Sequence, residues 1–346
     1  MDSMIGIMIF ALAGFSSAAF YTPLKYVKWK WEVMWIFYSL FACLAAPMVI
    51  ATLAMPDCWT AIGRVEFDVI AKTFIFGALW GVGGLTFGLS MRYLGIGLGT
   101  AVALGFCALV GTLSTPVLNG TFSEIVSTRD GLLKLVGVFV CALGIAVNGV
   151  AGIMKERDTS SAADGSGEFS LAKGFLVAVV AGSLSACMSI SMGCGAPIAD
   201  RAFEMAIAAG ADKSTSELFK NSPILIVTLL GGFLTNFLWC LFLSFKNKTI
   251  KCFGEFSAAG NFAFVVLCAL GGLLWYCQFF LYGMGMTKLD PSYAFTSWAI
   301  LMAFIIVFAG AIGLIIGEWR GTTPLTKSVL VLGMLVLAAS TFVMSM

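Results

Sequence analysis

Residues 261–284 read NFAFVVLCALGGLLWYCQFFLYGM, a run of 24 residues without a charged side chain. An α-helix rises 1.5 Å per residue, so about 20 apolar residues are enough to cross the hydrocarbon core of a membrane. This stretch therefore predicts a transmembrane helix.

Nine further runs of the same kind occur along the chain, so the sequence predicts an all-α integral membrane protein with about ten transmembrane helices. The predicted bounds are 4–23, 34–55, 70–90, 96–118, 132–152, 171–193, 222–245, 261–284, 293–317 and 325–345. Charged or turn-forming stretches separate the runs. They include residues 57–68, 123–130 and 200–220, which are expected to be connections.

The composition supports a membrane setting. Of the 346 residues, 60% are hydrophobic and only 11% are charged, whereas a soluble domain carries roughly 25% charged residues. A soluble fold of this length could not hide so much apolar surface, so lipid must be the solvent for much of it. The net charge of +2 argues against nucleic acid as a partner.

The residue types that most often carry chemistry are scarce. The chain has no histidine, and eight of its ten cysteines lie inside apolar runs without a CxxC pair. Buried cysteine usually packs as a small hydrophobe, so neither a disulfide framework nor a metal site is implied. An intramembrane enzyme would need a nucleophile with a base, or a metal cluster. We therefore expect no cofactor, no metal and no enzymatic activity.

The middle of the chain suggests a division into two halves. Residues 155–170 are rich in charged and small polar residues, which is typical of a flexible linker. Residues 76–80 (FGALW) resemble residues 271–275 (GGLLW) at an offset of 195. These features predict two five-helix repeats, residues 1–154 and 171–346. An odd number of helices would make the repeats inverted in the membrane, with a binding site at their midplane interface.

Lysine and arginine indicate the orientation. The odd-numbered connections between predicted helices hold twelve of these residues and the even-numbered ones hold eight. Cytoplasmic loops carry the excess of positive charge, which favours odd connections in the cytoplasm and both termini outside.

Few charged residues of the chain could carry a coupled proton at membrane depth. No Asp, Glu, Lys or Arg lies in the middle third of any predicted helix. A proton-coupled carrier needs a group that changes its protonation with conformation, and without histidine only a carboxylate is suitable. Glu32, with Lys25 nearby in sequence, is the first choice for proton coupling. Asp290 and Glu318 are weaker candidates, since each also fits an interfacial anchor.

Uncharged polar and aromatic residues are more plentiful inside the predicted helices. The eighth helix places Trp275, Gln278 and Tyr282 on one face, because they are spaced by three and four residues. An aromatic face with a few hydrogen-bonding groups suits an uncharged polar solute such as a sugar. The predicted solute-binding residues are Trp80, Thr86, Trp275, Gln278, Tyr293 and Trp298.

These residues also have structural interpretations, which the sequence leaves open. Trp275 and Gln278 would also suit interhelical packing and hydrogen bonding. Tyr293 and Trp298 would also suit an aromatic belt at the membrane interface.

Several longer strings carry a family resemblance. Residues 19–35 read AFYTPLKYVKWKWEVMW, residues 76–81 read FGALWG, and residues 88–95 read GLSMRYLG. Residues 271–280 read GGLLWYCQFF, and the similarity extends to Glu318 and Trp319. These strings resemble the L-rhamnose–proton symporter family of the drug/metabolite transporter superfamily.

The resemblance implies ten helices in two inverted five-helix repeats and proton-coupled uptake of a deoxy-sugar across a bacterial inner membrane. It also implies that Glu32 occupies an acidic position of the family. The family's sugar permeases carry asparagines where this chain has Gly84 and Thr86, and an acidic residue where it has Ala294. They also carry a histidine near Leu301. A site that loses its polar groups can lose its substrate.

The sequence therefore predicts a multi-pass secondary transporter of the cell inner membrane that imports a small sugar, most consistently L-rhamnose, by proton symport with alternating access. Its partners would be the sugar, a proton and the lipid bilayer. Two alternatives stay open: an exporter or facilitator of another small metabolite, and a membrane sensor that binds a solute without moving it.

Overall fold

The computed structural model describes residues 2–118, 120–159, 171–254 and 259–345. Within these ranges the regular structure is entirely helical, without strands. Ten of the described helices are long and apolar enough to span a membrane, so the prediction of ten transmembrane helices is confirmed. We number these spans α1 to α10 in chain order.

The bounds of the ten spans are Ser3–Leu24 (α1), Trp31–Ala54 (α2), Phe67–Leu94 (α3), Gly97–Leu118 (α4), Arg129–Thr159 (α5), Leu171–Ala208 (α6), Lys213–Lys246 (α7), Asn261–Met286 (α8), Ala294–Ile315 (α9) and Pro324–Ser345 (α10). Short helical segments lie in the connections at Cys58–Gly63, Phe122–Ser127 and Thr249–Gly254, and the 3₁₀ segment Pro291–Thr296 runs into the start of α9.

Two boundaries differ from the predicted ones in ways that matter for the site. Helix α2 begins at Trp31 rather than residue 34, which places Glu32 in its first turn. Helix α5 continues to Thr159, so the first residues assigned to the linker are helical. The rest of the predicted linker, residues 160–170, lies outside the described residues.

The prediction of a connection over residues 200–220 is wrong for most of that stretch. The chain forms helices at Ala196–Ala208 and Lys213–Phe219 there. Ala199, Ala202 and Ala206 are buried along one side of the first of these helices, while its charged residues are exposed. An amphipathic helix of this kind is missed by a search for uninterrupted apolar runs.

Several spans depart from regular α-helix, among them α7, which is interrupted at residues 220–221. Helix α1 is interrupted at Phe20, and helix α6 is interrupted at Ala186 and again at Gly195. Helix α2 contains a π-helical segment at Phe41–Ala45. Interrupted spans and π-bulges are frequent near the binding sites of membrane transporters and other functional sites.

The structure divides into two compact units. One comprises Met1–Gly14, Val82–Ile190 and Leu289–Met346, and the other comprises Phe15–Gly81 and Ser191–Lys288. Each unit combines helices from both halves of the chain. The units are defined by packing, whereas the predicted repeats 1–154 and 171–346 concern internal similarity, so the repeats stay a prediction.

Within each unit, hydrogen bonds tie together connections that a ten-span topology places on the same side of a membrane. At the end of α5, the Asp158 carboxylate accepts hydrogen bonds from the Thr323 N–H at 2.8 Å and the Thr326 hydroxyl at 2.6 Å, at the start of α10. In the other unit, the Thr249 hydroxyl donates to Glu32 at 2.9 Å. Both contacts join two odd-numbered connections, in agreement with alternation of the spans.

The two GxxxG pairs of α3 behave differently. An added Cβ at Gly77 would collide with the Thr228 carbonyl, and one at Gly81 would collide with the Thr235 side chain, so this pair packs closely on α7. Gly84 and Gly88 have open space where a Cβ would be. The first pair therefore allows close packing of α3 on α7, whereas the second pair makes no such contact among the described residues.

Candidate solute-binding and proton-coupling site

The indole rings of Trp80 and Trp275 meet within the unit formed by residues 15–81 and 191–288. Their centroids are 5.3 Å apart with an interplanar angle of 32°. Phe279 stands edge-on to both rings, at 5.9 Å from Trp80 and 4.9 Å from Trp275. Trp80 and Trp275 are only partly buried and lie near the middle of α3 and α8. The structure thus brings together two residues that were predicted separately to bind a solute.

Glycines hold the helices around these rings close together. An added Cβ at Gly232 on α7 would collide with the ring of Trp80. An added Cβ at Gly272 would lie 2.9 Å from the Tyr38 carbonyl oxygen and 2.9 Å from the Ala42 nitrogen, at the start of the π-helical segment of α2. Contact at this distance requires a residue without a side chain. It places Trp275, one turn further along α8, beside Tyr38 with 6.1 Å between ring centroids.

Gln278 follows Trp275 by one helical turn and is 4% exposed. Among the described residues, none hydrogen-bonds its side-chain amide. An amide that makes no hydrogen bond to the described protein is usually satisfied by water or by a ligand. The amide is therefore available to a polar solute that reaches the neighbouring rings.

Glu32 is 6% exposed although it carries a carboxylate. Its Oε1 accepts a hydrogen bond from the Asn247 amide at 3.1 Å and another from the Thr249 hydroxyl at 2.9 Å. Lys248, between these donors, has a left-handed backbone with φ of 57°. That conformation is uncommon for a residue with a side chain and turns the chain sharply between the two donors.

The lysines that precede Glu32, at positions 25, 28 and 30, are exposed. Lys25 follows the short helix Tyr21–Leu24, and Lys30 precedes the first turn of α2 and interacts electrostatically with Glu32. The sequence predicted Glu32 for proton coupling with Lys25 nearby. The side chains that donate hydrogen bonds to the Glu32 carboxylate are those of Asn247 and Thr249.

Aromatic contacts connect the first turn of α2 to Trp275. The ring of Trp31 stacks on Trp35 at 5.2 Å, and Trp35 contacts Tyr38 at 4.8 Å. Asn236 on α7 fixes Trp35, because its Oδ1 accepts a hydrogen bond from the indole N–H at 3.0 Å while its amide donates to the Gly232 carbonyl at 2.8 Å. Packed rings thus connect the first turn of α2, which contains Glu32, to the Trp80–Trp275 pair.

Three predicted solute-binding residues belong to the other unit, and the structure describes two of their side chains. The Thr86 hydroxyl donates to the carbonyls of Val82 and Gly83 within its own helix, at 3.0 Å each. Trp298 is 2% exposed, and its indole N–H donates to the Cys107 carbonyl at 3.2 Å. These contacts favour packing roles for both side chains.

Tyr293 lies in the 3₁₀ segment Pro291–Thr296, and its side chain lies outside the described part of the structure. Its role as a solute-binding residue stays a prediction.

Sequence reasoning missed Tyr38, Trp35 and the two donors to Glu32. Trp31, Trp35 and Tyr38 are spaced by four and three residues, so a search for aromatic residues on one helix face would have found them. Asn247 and Thr249 are more than 200 residues from Glu32, and a single sequence carries no signal for such a contact.

The ten apolar helices, with a buried carboxylate at the start of one and a polar-aromatic cluster between others, define a multi-pass membrane protein. The sequence model of the family described as L-rhamnose-proton symport protein (RhaT) matches residues 1–346. The chain belongs to this family.

Curated relatives agree with the assignment. The L-rhamnose-proton symporter of Citrobacter koseri is 36% identical over 345 residues, which cover 99% of this chain and 97% of the relative. The L-rhamnose-proton symporter of Salmonella paratyphi A is 37% identical over 336 residues, which cover 96% of this chain and 94% of the relative.

Proposed function

We propose that the protein imports L-rhamnose together with a proton across the inner membrane of a bacterial cell. The observation that carries this proposal is the similarity to proteins named L-rhamnose-proton symporters along nearly the whole of both chains. The buried carboxylate and the polar-aromatic cluster are the groups that such an activity requires.

The solute would bind at Trp80, Trp275 and Gln278. L-rhamnose is a 6-deoxyhexose, so it presents C–H groups and a methyl group that pack on indole faces, and hydroxyls that need hydrogen bonds. Gln278 would supply both a donor and an acceptor to those hydroxyls. Tyr38 contacts Trp275 and would hold its ring in place.

Glu32 would carry the proton. In the described arrangement one carboxylate oxygen accepts from two donors, Asn247 and Thr249. A proton on that oxygen would replace one of these bonds, because an acceptor position becomes a donor. Protonation would therefore loosen the contact between α2 and the turn at residues 247–249, and Lys25 would assist from the same connection.

Coupling between the proton and the sugar would run through the packed rings of α2. Trp31 adjoins Glu32 in sequence, and the contacts through Trp35 and Tyr38 end at Trp275. A shift of α2 would change the position of Tyr38 against Trp275. In this proposal two inverted repeats, residues 1–154 and 171–346, rock to expose the site alternately to the two sides.

Uptake of labelled L-rhamnose into proteoliposomes tests the proposed substrate. With an imposed electrical and proton gradient we expect accumulation above the outside concentration, and with the gradient collapsed we expect only equilibration. One charge moving through 100 mV supplies about 2.3 kcal/mol, which corresponds to about 50-fold accumulation. Unlabelled L-rhamnose should compete, and a charged sugar acid should not.

A second function is favoured by one observation, the absence of Asp, Glu, Lys and Arg from the middle of the apolar runs. A facilitator or exporter of another small metabolite would need no charged group at that depth. Failure of L-rhamnose uptake by folded protein, with uptake of another metabolite in a screen, would replace the proposed function with this one.

A further inference from the structure

A cavity of about 410 Å³ lies within the unit that contains residues 82–190 and 289–346, between α4, α5, α9 and α10. Aliphatic side chains form much of its wall, with Leu104 from α4, Ile145 from α5 and Ile305 from α9 among them. The volume falls in the range of small-molecule sites. The cavity shares no residue with the proposed sugar site, so an occupant of the cavity would have a different role.

One polar side chain in the wall, that of Asn148, has an atom without a hydrogen-bond partner. Its amide nitrogen donates to the Gly144 carbonyl at 2.9 Å, one turn earlier on α5. Its Oδ1 is buried and accepts no hydrogen bond from the described residues. An added Cβ at Gly333 on α10 would collide with the amide nitrogen, so the side chain is closely held. Because an amide oxygen only accepts, the group that this part of the wall lacks is a hydrogen-bond donor.

The polarity of the wall changes with depth. Lys155 lines the outer end, near the end of α5, and Asn148 lies seven residues earlier, about 10 Å further along the helix. The Thr100 side chain lines the cavity within one turn of the start of α4. Ile145 and Ile305 line the cavity deeper than Asn148. An occupant would thus meet polar groups first and an aliphatic wall beyond them.

The charged side chains at the outer end are already used within the protein. The Lys155 ammonium lies over the Trp319 ring, 4.7 Å from its centroid. Glu156 accepts a hydrogen bond from the Gly97 N–H at 2.8 Å, and both Glu156 and Glu318 make further interactions. These charges therefore give no reason to expect a charged ligand.

Neither a free sugar nor water alone suits this wall. Its amide and hydroxyl side chains are Thr100, Asn148 and Thr159, and the Thr159 hydroxyl already donates to the Lys155 carbonyl. A sugar has several hydroxyls, and most of them would lose their hydrogen bonds here, which is costly. A water molecule needs about two to four polar partners, so water at Asn148 would leave the aliphatic part empty.

The cavity is also accessible within the apolar zone of a membrane. Ala309 lines it and is exposed, although it lies six residues before the end of α9, about 9 Å along the helix. A ligand that enters at this depth comes from the bilayer, so it must itself dissolve in lipid.

We propose that this cavity binds an uncharged alkyl alcohol from the bilayer, with its hydroxyl donating to the Asn148 Oδ1 and its alkyl chain against Ile145 and Ile305. A single hydroxyl supplies the donor that the wall lacks, and the chain covers the aliphatic surface. The inference concerns a site separate from sugar transport and does not depend on the proposed substrate.

A photoreactive octanol, with a diazirine on its chain, tests this proposal on the full-length protein in lipid vesicles. Mass spectrometry of peptides after irradiation locates the label. We expect labelling of Ile145, Ile305 or Ile306, which line the cavity, and we expect excess 1-octanol to suppress it. Leu332 and Leu335 on α10 are exposed, and label on them should not be suppressed, because it comes from alcohol dissolved in the bilayer.

The need for a hydroxyl is tested with a second competitor, 1-methoxyheptane. It has the same atoms as 1-octanol but no O–H group. At equal concentration in the membrane it should compete about fivefold less well, the ratio that corresponds to about 1 kcal/mol for one hydrogen bond. Asn148→Leu should weaken competition by 1-octanol about fivefold and remove the difference between the two competitors.

Two further variants locate the site independently of Asn148. Ala309→Phe adds a ring to a residue that lines the cavity and should lower the labelling that 1-octanol suppresses. Ile315→Phe is the matched control on the same helix, because Ile315 is 81% exposed and does not line the cavity, so its labelling should equal that of the wild-type protein.

Three results with the wild-type protein would overturn the proposal. The first is the absence of label from the cavity residues. The second is label there that excess 1-octanol does not suppress, which would mean partition into the bilayer only. The third is equal competition by 1-methoxyheptane, which would mean a site for alkyl chains that ignores the hydroxyl. All three are measured without a substitution, so the test stays decisive if a variant does not fold.

Discussion

Glu32→Gln is expected to abolish gradient-driven accumulation of L-rhamnose while exchange of labelled for unlabelled sugar continues. Glutamine can accept the hydrogen bonds of Asn247 and Thr249 through its side-chain oxygen, so the turn at residues 247–249 should keep its place. Glutamine cannot take up or release a proton, so the accumulation ratio should fall from about 50-fold at 100 mV to about one. The measurement compares uptake with an imposed gradient and counterflow without one, in the same proteoliposomes.

The matched control is Glu66→Gln, because Glu66 is an exposed carboxylate in a connection and should leave both activities unchanged. Retained counterflow shows that Glu32→Gln is folded and binds sugar. If Glu32→Gln accumulates L-rhamnose as the wild-type protein does, the proton is carried elsewhere and the proposed role of Glu32 is wrong.

Gln278→Leu is expected to raise the KM for L-rhamnose by about tenfold or more and to leave the thermal stability of the protein nearly unchanged. The first effect follows because the loss of a hydrogen-bonding group from a site for a polar solute lowers the affinity for that solute. The second follows because no hydrogen bond from the Gln278 amide to another described residue is lost, and leucine has a similar size. Uptake kinetics and thermal unfolding in detergent measure the two effects.

Asn221→Leu provides the contrast for this prediction. The Asn221 amide donates to the Gly283 carbonyl at 2.8 Å, so its replacement should lower the stability by about 1 kcal/mol and leave the KM unchanged. A Gln278→Leu protein with lower stability and an unaltered KM would mean that Gln278 is a packing residue of α8.

The ten spans could be predicted from the sequence because an apolar run of about 20 residues has few alternatives to crossing a membrane. The helix Ala196–Ala208 could not be found in that way. Its buried alanines alternate with charged residues, and a search for continuous apolarity reports such a segment as a connection. The early start of α2 at Trp31 was missed for a related reason, since Glu32 and the lysines before it mask the helix signal.

Part of the candidate site could also be predicted. Trp275 and Gln278 stand out because an amide inside an apolar run is costly, and the structure places Trp80 against Trp275. Glu32 was found as the best carboxylate near the apolar runs, and its burial agrees with that choice. The structural environment of Trp298 could not be foreseen, because its N–H is used by the carbonyl of Cys107, 191 residues away.

The most direct test of the central claim is the movement of protons when L-rhamnose is added. Vesicles containing the protein, with no imposed gradient, are placed in a weakly buffered medium with a pH indicator, and L-rhamnose is added outside while a counter-ion is allowed to cross. Because the sugar enters with a proton, the outside medium is expected to become more alkaline, and Glu32→Gln is expected to give no change in pH. Entry of L-rhamnose into wild-type vesicles without any change in outside pH would contradict proton symport.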